Sequence, residues 1–456
     1  MTVHILPTDE RDDYEPRADV PHRSRSAGGS IVASLVAGAV AALVLTLVVF
    51  AGATEATITG AMLLAFGLGW TLMAILTVRR TSQPQRWAIV PAAAMGGVGI
   101  ALMAFRPGND AMTALGWAWP PVVLGLAAWM FVQMRRALPG RGRWLLTPVV
   151  GVLALASVGA TYENIALKDD QNTYAAPGKL YDVGGHRLHL DCRGHGGPTV
   201  VLSNGLGEIS GSWARIAGQV AATTRVCAYD RAGQGWSDDS DSPQDGVTAA
   251  KDLHTLLGKA AEKGPFVLVG HSIGGTYAMT YAARYPGQVA GLVLLDSSSP
   301  EQFTRMPAYP GQYAVMRRGL ALLPTLNRLG LGRLFAASHL PAAAADQVKA
   351  VTSTARAARN GRDELSVIPD VFAQSQALTT LHDRPLAVLT ASENIATDGW
   401  VGAQNQLARL STNRIHHTVR STHPGLLEDA RPAAESVRAI TEVVSSVRTG
   451  GPLSTR

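Results

Sequence analysis

The hydrophobic pattern divides this chain into two parts of different character. Five long stretches without Asp, Glu, Lys, Arg or His precede residue 163, and no stretch of that length follows it. Each is close to the ~20 residues that a helix needs to cross the hydrocarbon core of a bilayer. The pattern therefore predicts five transmembrane helices, at residues 30–52, 56–78, 87–105, 111–134 and 144–162.

The charged residues between these stretches predict how the helices are oriented. Arginines precede the first helix and fill the second and fourth connections, namely Arg23, Arg25, Arg79, Arg80, Arg86, Arg135, Arg136, Arg141 and Arg143. The other two connections contain only Glu55 in one case and Arg106 with Asp110 in the other. The positive-inside rule places arginine-rich connections in the cytoplasm. Residues 1–28 are accordingly predicted to be a polar cytoplasmic tail, residues 29–163 a membrane domain, and everything that follows extracytoplasmic.

The distribution of charge argues against two other functions. The net charge of +6 resides largely in these short connections, where membrane topology accounts for it better than a nucleic-acid partner does. No ionisable side chain lies within the predicted spans, whereas transporters and proton relays normally need such groups. The membrane domain is therefore predicted to be an anchor, with a role in lipid access or partner docking left open.

The pattern changes after residue 163. Residues 164–180 are polar and are predicted to be a linker. Beyond them, short β-rich segments alternate with segments of helical character, and four of the β-rich segments are continuous apolar runs. Such runs are typical of strands that are buried on both faces of a parallel sheet. An α/β domain is predicted, with strands at 186–192, 199–203, 225–229, 266–269, 292–295 and 386–389.

The segment from Phe266 to Gly275 carries the clearest chemical signature. It reads F-V-L-V-G-H-S-I-G-G, an apolar strand followed by G-x-S-x-G and a helical pattern. In such a turn the serine hydroxyl stands above the sheet, and glycines flank it because a side chain would collide with the neighbouring backbone. The chain contains 47 glycines, so the pattern alone supports a nucleophile at Ser272 only weakly, and its context has to carry the hypothesis.

Three further motifs supply that context. V-V-L-S-N-G-L-G begins at Val200, D-R-A-G-Q-G-W-S begins at Asp230, and an apolar run ends at Asp296 before S-S-S-P. Together with the serine motif, and in this order, they resemble the α/β-hydrolase superfamily. The resemblance covers residues 181–449 and implies an esterase- or lipase-like enzyme with a mainly parallel sheet. It also implies a helical cap at about 300–384, inserted between the sixth and seventh strands.

The resemblance implies roles for individual residues. Ser272 would be the nucleophile and His423, in S-T-H-P-G-L-L-E, the general base. The backbone N–H groups of Ile273 and Leu206 would form the oxyanion hole. Asn204 stands where many relatives have histidine, a substitution that leaves these amide donors in place.

The acid of the triad is an open assignment. Many relatives carry an aspartate just after the seventh strand, but this chain has Asn394 there. Asp296, after the sixth strand, is the favoured acid, Glu393 is the alternative, and Asp398 is less favoured. A carboxylate is needed to orient the imidazole and to stabilise the imidazolium. Asp296 also has a purely structural interpretation, because many relatives keep an aspartate there without using it in catalysis.

The two cysteines, Cys192 and Cys227, fall on the second and fourth strands of the resemblance, which are neighbours in the family's sheet. Outside the cytoplasm a disulfide is permitted between them. Two small buried thiols are the alternative, and the sequence does not decide between the two.

The sequence thus predicts a membrane-anchored serine hydrolase that cleaves carboxylic esters through an acyl-enzyme. No zinc signature, dinucleotide fingerprint or P-loop occurs, so neither a metal nor an organic cofactor is predicted. The expected partners are a small-molecule or lipid-like ester and the lipid of the plasma membrane. A non-catalytic membrane receptor or scaffold that uses a hydrolase fold as a binding module is the alternative. The physiological substrate, the acyl length and the oligomeric state are left undetermined.

Overall fold

The computed structural model describes residues 26–453, apart from 139, 141 and 242, together with Met1. Most of the predicted N-terminal tail, with Arg23 and Arg25, lies outside the described residues, as does Arg141. Within the described part, five helices are long and apolar enough to cross a membrane. They are α1 (Gly28–Val44, continued by the π-helical turn Leu45–Val49), α2 (Glu55–Arg80), α3 (Ile89–Phe105, preceded by the 3-10 turn Arg86–Ala88), α4 (Asn109–Ala137) and α5 (Gly142–Thr173).

The fifth helix is longer than its hydrophobic pattern indicates. It continues to Thr173, so the first part of the segment predicted to be a polar linker is helical. A contact from a distant part of the chain accompanies this extension, because Asp170 lies 2.6 Å from the Arg333 guanidinium. An uncharged stretch marks only the part of a helix that is apolar enough to lie in lipid. The same helix can continue through polar residues beyond that stretch.

Glycines allow the first three helices to approach one another closely. A Cβ added to Gly38 of α1 would lie 3.2 Å from the Cα of Gly69 on α2. One added to Gly60 of α2 would lie 2.7 Å from the carbonyl oxygen of Gly99 on α3. Larger residues at these positions would force the helices apart, as is typical of small-residue packing between membrane helices.

Eight strands form one sheet after the fifth helix, and all six predicted strands are among them. The strands are β1 (Lys179–Asp182), β2 (Arg187–Arg193), β3 (Val200–Ser203), β4 (Val226–Tyr229), β5 (Phe266–His271), β6 (Val289–Leu295), β7 (Leu386–Ala391) and β8 (Arg414–Val419). Their order is β1-β2-β4-β3-β5-β6-β7-β8, with β2 antiparallel to its neighbours and the six strands from β4 to β8 mutually parallel. The two unpredicted strands, β1 and β8, are the edges, whose partly exposed residues lack a continuous apolar run.

Helices cover both faces of the sheet. They are α6 (Ala214–Val220), α7 (Gly246–Lys259), α8 (Ile273–Arg284), α15 (Trp400–Ala408), α16 (Gly425–Glu428) and α17 (Ala430–Thr449). Leu256 of α7 and Met279 of α8 belong to the buried core on one face. Ile216 of α6 and Ile440 of α17 belong to the core on the other face. The fold is therefore a three-layer α/β sandwich with a mostly parallel sheet.

The insertion between β6 and β7 is a helical cap, as predicted. It consists of α9 (Gln302–Arg305), α10 (Tyr309–Arg328), α11 (Leu331–Phe335), α12 (Ala342–Thr352), α13 (Ala355–Ser366) and α14 (Ile368–Ser375). The longest of these, α10, packs against α13 within the cap and against α2 and α5 of the apolar helices. The cap is thus in contact with both parts of the chain.

Buried ion pairs join the cap to the apolar helices. Arg328 at the end of α10 pairs with Glu55 at the start of α2, with Nη2 3.0 Å from Oε2. Arg333 of α11 pairs with Glu163 of α5, with Nε 2.5 Å from Oε2. Both carboxylates are about nine-tenths buried or more, so removing either arginine would leave a buried charge without its partner.

The two cysteines form a disulfide. Cys192 on β2 lies directly opposite Cys227 on β4, and the sulfurs are bonded at 2.05 Å. Glu262 lies close to both sulfurs. This group does not fit a metal ion, because a metal ligand is a thiolate and both sulfurs are committed to the disulfide.

Candidate active site

Ser272 occupies a tight turn between β5 and α8. Its backbone has a φ of +55° and a ψ of −130°, a conformation that residues with a side chain rarely adopt and that the surrounding structure has to enforce. A Cβ on Gly270 would lie 2.4 Å from the Cα of Gly275, and one on Gly274 would lie 2.2 Å from the carbonyl oxygen of Ser203. The glycines of G-x-S-x-G are therefore required by close backbone approach.

His423 lies in the loop between β8 and α16, and its Nδ1 is 2.6 Å from Oδ2 of Asp296. Asp296 directly follows β6 and has no exposed surface. An ionised carboxylate only accepts hydrogen bonds, so Nδ1 carries the proton and Nε2 keeps a lone pair. That tautomer is the one a general base needs.

Three further donors converge on Asp296. Its Oδ1 accepts from the main-chain N–H of Ala391 at 3.0 Å and from the indole N–H of Trp400 at 3.1 Å. Its Oδ2 accepts from the side-chain amide of Asn394 at 2.6 Å. With His423, these donors satisfy a carboxylate that is buried away from water. Asn394, after β7, thus donates to the carboxylate at the neighbouring strand end.

The other two candidate carboxylates are arranged differently. Glu393 is exposed, and its Oε2 accepts from the main-chain N–H of His423 at 2.6 Å. It therefore holds the loop that carries the imidazole. Asp398 is exposed on the connection to α15. Of the three acids considered from sequence, Asp296 is the one that contacts the imidazole.

The two residues expected to supply oxyanion donors lie on adjoining segments. Ile273 begins α8 directly after the serine, and Leu206 lies in the loop that follows β3. These segments approach closely, because a Cβ on Gly274 would lie 2.6 Å from the carbonyl oxygen of Asn204. The Asn204 side chain points elsewhere, since its Oδ1 accepts from the Trp213 indole N–H at 2.8 Å. It stabilises the loop and does not contact the main-chain N–H groups of Leu206 or Ile273.

An ion pair next to the serine, between a buried histidine and a partly buried glutamate, was not indicated by the sequence. The Nδ1 of His271, the variable residue before Ser272, is 2.5 Å from Oε1 of Glu208. The Nε2 of His271 is 3.0 Å from the main-chain carbonyl oxygen of His423. The second oxygen of Glu208 accepts from the N–H of Gly205 at 2.5 Å. This one pair thus connects three segments. They are the loop after β3, here called the oxyanion loop after its expected role, the serine turn, and the loop that carries His423.

The protonation of this pair follows from its geometry. Both ring nitrogens of His271 face acceptors, and only the imidazolium donates from both. Burial by itself lowers the pKa of His271, but the Glu208 carboxylate outweighs it and raises this pKa above its ordinary 6.5. Burial likewise raises the pKa of Glu208, but attraction to His271 and the Gly205 N–H bring it below its ordinary 4.5.

The D-R-x-G-x-G-x-S motif supports the oxyanion loop. Asp230 is fully buried and accepts from the N–H of Ser210 at 2.6 Å, while His189 Nδ1 lies 2.9 Å from its Oδ2. A Cβ on Gly235 would lie 2.4 Å from the same carboxylate, which explains the second glycine of the motif. This aspartate is a structural residue of the turn.

The next residue of that motif connects the oxyanion loop to the cap. Arg231 donates to the carbonyl oxygen of Asn204 at 2.8 Å and to Oε1 of Glu364 on α13 at 2.9 Å. Its guanidinium also lies over the ring of Tyr277, 4.2 Å from the centroid. The cap is therefore bound to the site by a buried charged pair and by apolar contacts.

The cap encloses the site with apolar side chains. Leu206 and Ile273 belong to one cluster with residues of α9, α10, α13 and α14, including Phe303, Tyr309, Tyr313, Leu320, Leu365 and Phe372. The residues expected to hold the oxyanion thus adjoin an apolar region, as an acyl group would require.

Comparisons with known proteins agree with this fold. A family profile described as the alpha/beta hydrolase fold matches residues 198–362. The Cif epoxide hydrolase from Acinetobacter nosocomialis superposes with a TM-score of 0.51, covering 62% of this chain and 96% of its own at 17% identity. The chain has the α/β-hydrolase fold. The likeness at this identity concerns the fold alone, and the five apolar helices precede the matched region.

Curated relatives align with parts of this chain. An uncharacterized protein of Schizosaccharomyces pombe is 27% identical over 366 residues, which are 70% of this chain and 65% of the relative. Lipase LipV of Mycobacterium tuberculosis is 39% identical over 117 residues, which are 24% of this chain and 41% of the relative. This chain therefore spans less than two thirds of the length of either protein. The first of these relatives has no stated activity, and the lipase activity in the name of the second is that of the relative.

Proposed function

We propose that this protein is a membrane-anchored serine hydrolase that cleaves carboxylic esters through an acyl-enzyme on Ser272. The observation that carries the proposal is the contact between Nδ1 of His423 and the buried Asp296, beside the strained turn at Ser272. A nucleophile, a base and an acid that orients the base make up the constellation of acyl-transfer hydrolases.

The proposed reaction has two halves, formation and hydrolysis of the acyl-enzyme, and the same groups act in both. The Oγ of Ser272 attacks the carbonyl carbon of the ester while Nε2 of His423 accepts its proton. The N–H groups of Ile273 and Leu206 stabilise the oxyanion, each by about 3–4 kcal/mol. The imidazolium, stabilised by Asp296, then protonates the leaving alkoxide. In the second half a water molecule attacks the acyl carbon while His423 accepts its proton, and the imidazolium returns that proton to Oγ of Ser272 as the carboxylic acid is released.

We also propose that residues 29–163 anchor residues 181–449 on the extracytoplasmic face of the plasma membrane. The helix ends opposite the cap carry arginines, with Arg79 and Arg80 ending α2 and Arg135 and Arg136 ending α4. At the ends next to the cap, α2 begins with Glu55 and α4 begins with Asn109. By the positive-inside rule the arginine-bearing ends lie in the cytoplasm. The disulfide agrees with an oxidising compartment for the hydrolase domain.

Hydrolysis of p-nitrophenyl butyrate by the purified full-length protein tests the proposal. We expect Ser272→Ala and His423→Ala each to lower kcat by about 10⁴-fold or more, because the triad acts as a unit. An inactive wild-type protein that also resists a fluorophosphonate probe would contradict the proposal. That outcome would favour the receptor or scaffold alternative.

A further inference from the structure

The cap helix α10 has both inward and solvent-exposed apolar side chains. Tyr309, Tyr313 and Leu320 face inward, into the cluster that includes the expected oxyanion residues. Val315 lies on the opposite side of the helix and is 68% exposed, while Met316 and Leu323, beside the inward stripe, are 36% and 40% exposed. A helix on the surface of a soluble domain normally shows a polar outer face. The outer face of α10 therefore suits surroundings other than water.

Exposed apolar side chains are concentrated in this part of the hydrolase domain. In the described region after residue 173, eight large hydrophobic side chains are exposed. Five of them lie on α10 and α11, namely Val315, Met316, Leu323, Leu334 and Phe335. The concentration points to one particular surface, because scattered single apolar residues are common on any protein.

This surface adjoins the helices that are apolar enough to cross a membrane. The α10 helix contacts the π-helical turn that ends the first span, where Val48 and Val49 are themselves exposed. Further along, the hydroxyl of Thr325 lies 2.8 Å from that of Thr59, one turn inside α2. The exposed apolar face of α10 is thus continuous with the lipid-facing surface of the spans.

The depth of the contact places α10 and α11 at the level of lipid. A Cβ on Gly159 of α5 would lie 2.4 Å from the carbonyl oxygen of Leu329, which connects the two cap helices. On the outer side of α5, exposed apolar residues continue past Gly159 to Tyr162 and Ile165. At 1.5 Å per residue, Gly159 lies about 9 Å inside the end of that apolar band. Membrane-surface helices bury their apolar face to a similar depth of about 5–10 Å.

We propose that the outer face of α10 and α11 lies within the bilayer leaflet that adjoins the hydrolase domain, and that the site takes amphiphilic esters from that leaflet. The second part rests on the proposed function. The same helix contacts lipid with one face and encloses Leu206 and Ile273 with the other. An acyl chain in the leaflet would thus meet apolar side chains of α10 that adjoin the cluster around Leu206 and Ile273. Arg317 lies against Gly52, just after the first span, and Arg318 is exposed, at the level where lipid headgroups would lie.

Hydrolysis in phosphatidylcholine vesicles that contain the full-length protein tests the proposal. The variant Val315→Ser/Met316→Ser/Leu323→Ser removes apolar contact with the leaflet, and Leu180→Ser is a matched control on the edge strand β1, where Leu180 is 37% exposed. We expect the triple variant to cleave a long-chain fluorogenic ester in the vesicles about tenfold more slowly. Its hydrolysis of soluble p-nitrophenyl acetate should stay within about twofold of wild type, because the catalytic groups are untouched. The control should change neither rate.

The outcomes separate this inference from the proposed function. Equal loss on both esters, or no loss on either, would overturn the inference while leaving the hydrolase in place. A wild-type protein inactive on both esters would overturn the proposed function.

A depth measurement tests the location of the surface without any activity. A nitroxide label is attached at Val315→Cys, with Leu180→Cys as the control, since both native cysteines are in the disulfide. We expect the label at 315 to collide with dissolved oxygen more than with a water-soluble nickel chelate, and the label at 180 to show the reverse. Similar exposure of both labels to the chelate would overturn the proposal.

Discussion

Two neighbouring strand ends bring a carboxylate to His423, and they do so in different surroundings. After β6, Asp296 is fully buried and lies 2.6 Å from the imidazole Nδ1. After β7, Glu393 is exposed and lies 2.6 Å from the main-chain N–H of the same residue. The two distances are equal, yet only the first contact fixes the tautomer and would stabilise the charge that the proposed reaction places on the ring. The role of each carboxylate therefore depends more on the atom that it contacts than on its position along the sheet edge.

The β6 end is also the more constrained of the two. Asp296 has a φ of +41°, in the left-handed region that residues other than glycine rarely adopt. Donors from Ala391, Asn394 and Trp400 hold its carboxylate in place. Such over-determined geometry is typical of catalytic groups.

Among the carboxylate variants, the largest expected effect is that of Asp296→Asn. The amide would hold the imidazole in the wrong tautomer, so we expect kcat for p-nitrophenyl butyrate to fall by about 10⁴-fold. Steady-state kinetics measure the loss, and a thermal unfolding curve establishes that the variant is folded. A folded variant that keeps more than about a tenth of wild-type kcat would contradict the assignment of the acid.

A double variant moves the acid from one strand end to the other. Asp296→Asn/Asn394→Asp places the carboxylate where relatives often have it, since the Asn394 amide lies 2.6 Å from the carboxylate that holds His423. We expect it to regain about one to two orders of magnitude of the roughly 10⁴-fold loss. Asp296→Asn alone is the reference. No recovery would mean that the geometry of the β6 end is indispensable.

The variant Glu208→Gln tests a third carboxylate, which acts through His271. Because the pKa of His271 is raised, its hydrogen bond to the His423 carbonyl is present below that pKa and is lost as the pH rises through it. The groups around the His271 ring that influence its pKa are Glu208, His423 and Asp296. Without the Glu208 charge, burial lowers the pKa of His271. We therefore expect the alkaline limb of the kcat profile to move to lower pH and kcat to fall by about tenfold.

The matched control for that pH shift is Glu393→Gln, which removes a carboxylate from the same His423 loop. Its profile should keep the wild-type alkaline limb. A Glu208→Gln profile with an unmoved alkaline limb would show that His271 does not position the base through its charge.

The smallest expected effect is the rate change in Glu393→Gln itself. The glutamine oxygen still accepts from the His423 N–H, and an exposed charge contributes about 1 kcal/mol or less. We expect kcat/KM to fall by less than about fivefold, as measured with the same ester. A loss comparable with that of Asp296→Asn would reverse the comparison between the two strand ends.

The fold could be predicted from the sequence wherever the pattern is continuous. The five uncharged stretches and the apolar strands are local signals, and the helices and central strands lie where these signals are. The edge strands β1 and β8 escaped prediction because one side of each is solvated. The helical extension to Thr173 escaped because its contact with Arg333 joins residues far apart in the sequence.

The candidate site was predictable to the extent that its residues belong to motifs. Ser272 and His423 lie in such motifs, and Asp296 could be proposed from its place after β6. The choice between Asp296 and Glu393 depends on which atom of His423 each one contacts, which spacing does not reveal. Glu208 and His271 lie 63 positions apart, and neither carries a motif of its own. A carboxylate close after the oxyanion loop and a histidine before the serine were the available signals.

The rate at which a fluorophosphonate labels Ser272 tests the central assignment most directly, because it reports the reactivity of the serine without any knowledge of the substrate. Peptide mass spectrometry locates the label in the wild type, Asp296→Asn and Glu393→Gln. We predict rapid labelling of Ser272 in the wild type and in Glu393→Gln, and labelling slower by about 10³-fold or more in Asp296→Asn. Slow labelling in Glu393→Gln with wild-type labelling in Asp296→Asn would contradict the assignment, and no labelling of the wild type would contradict the hydrolase itself.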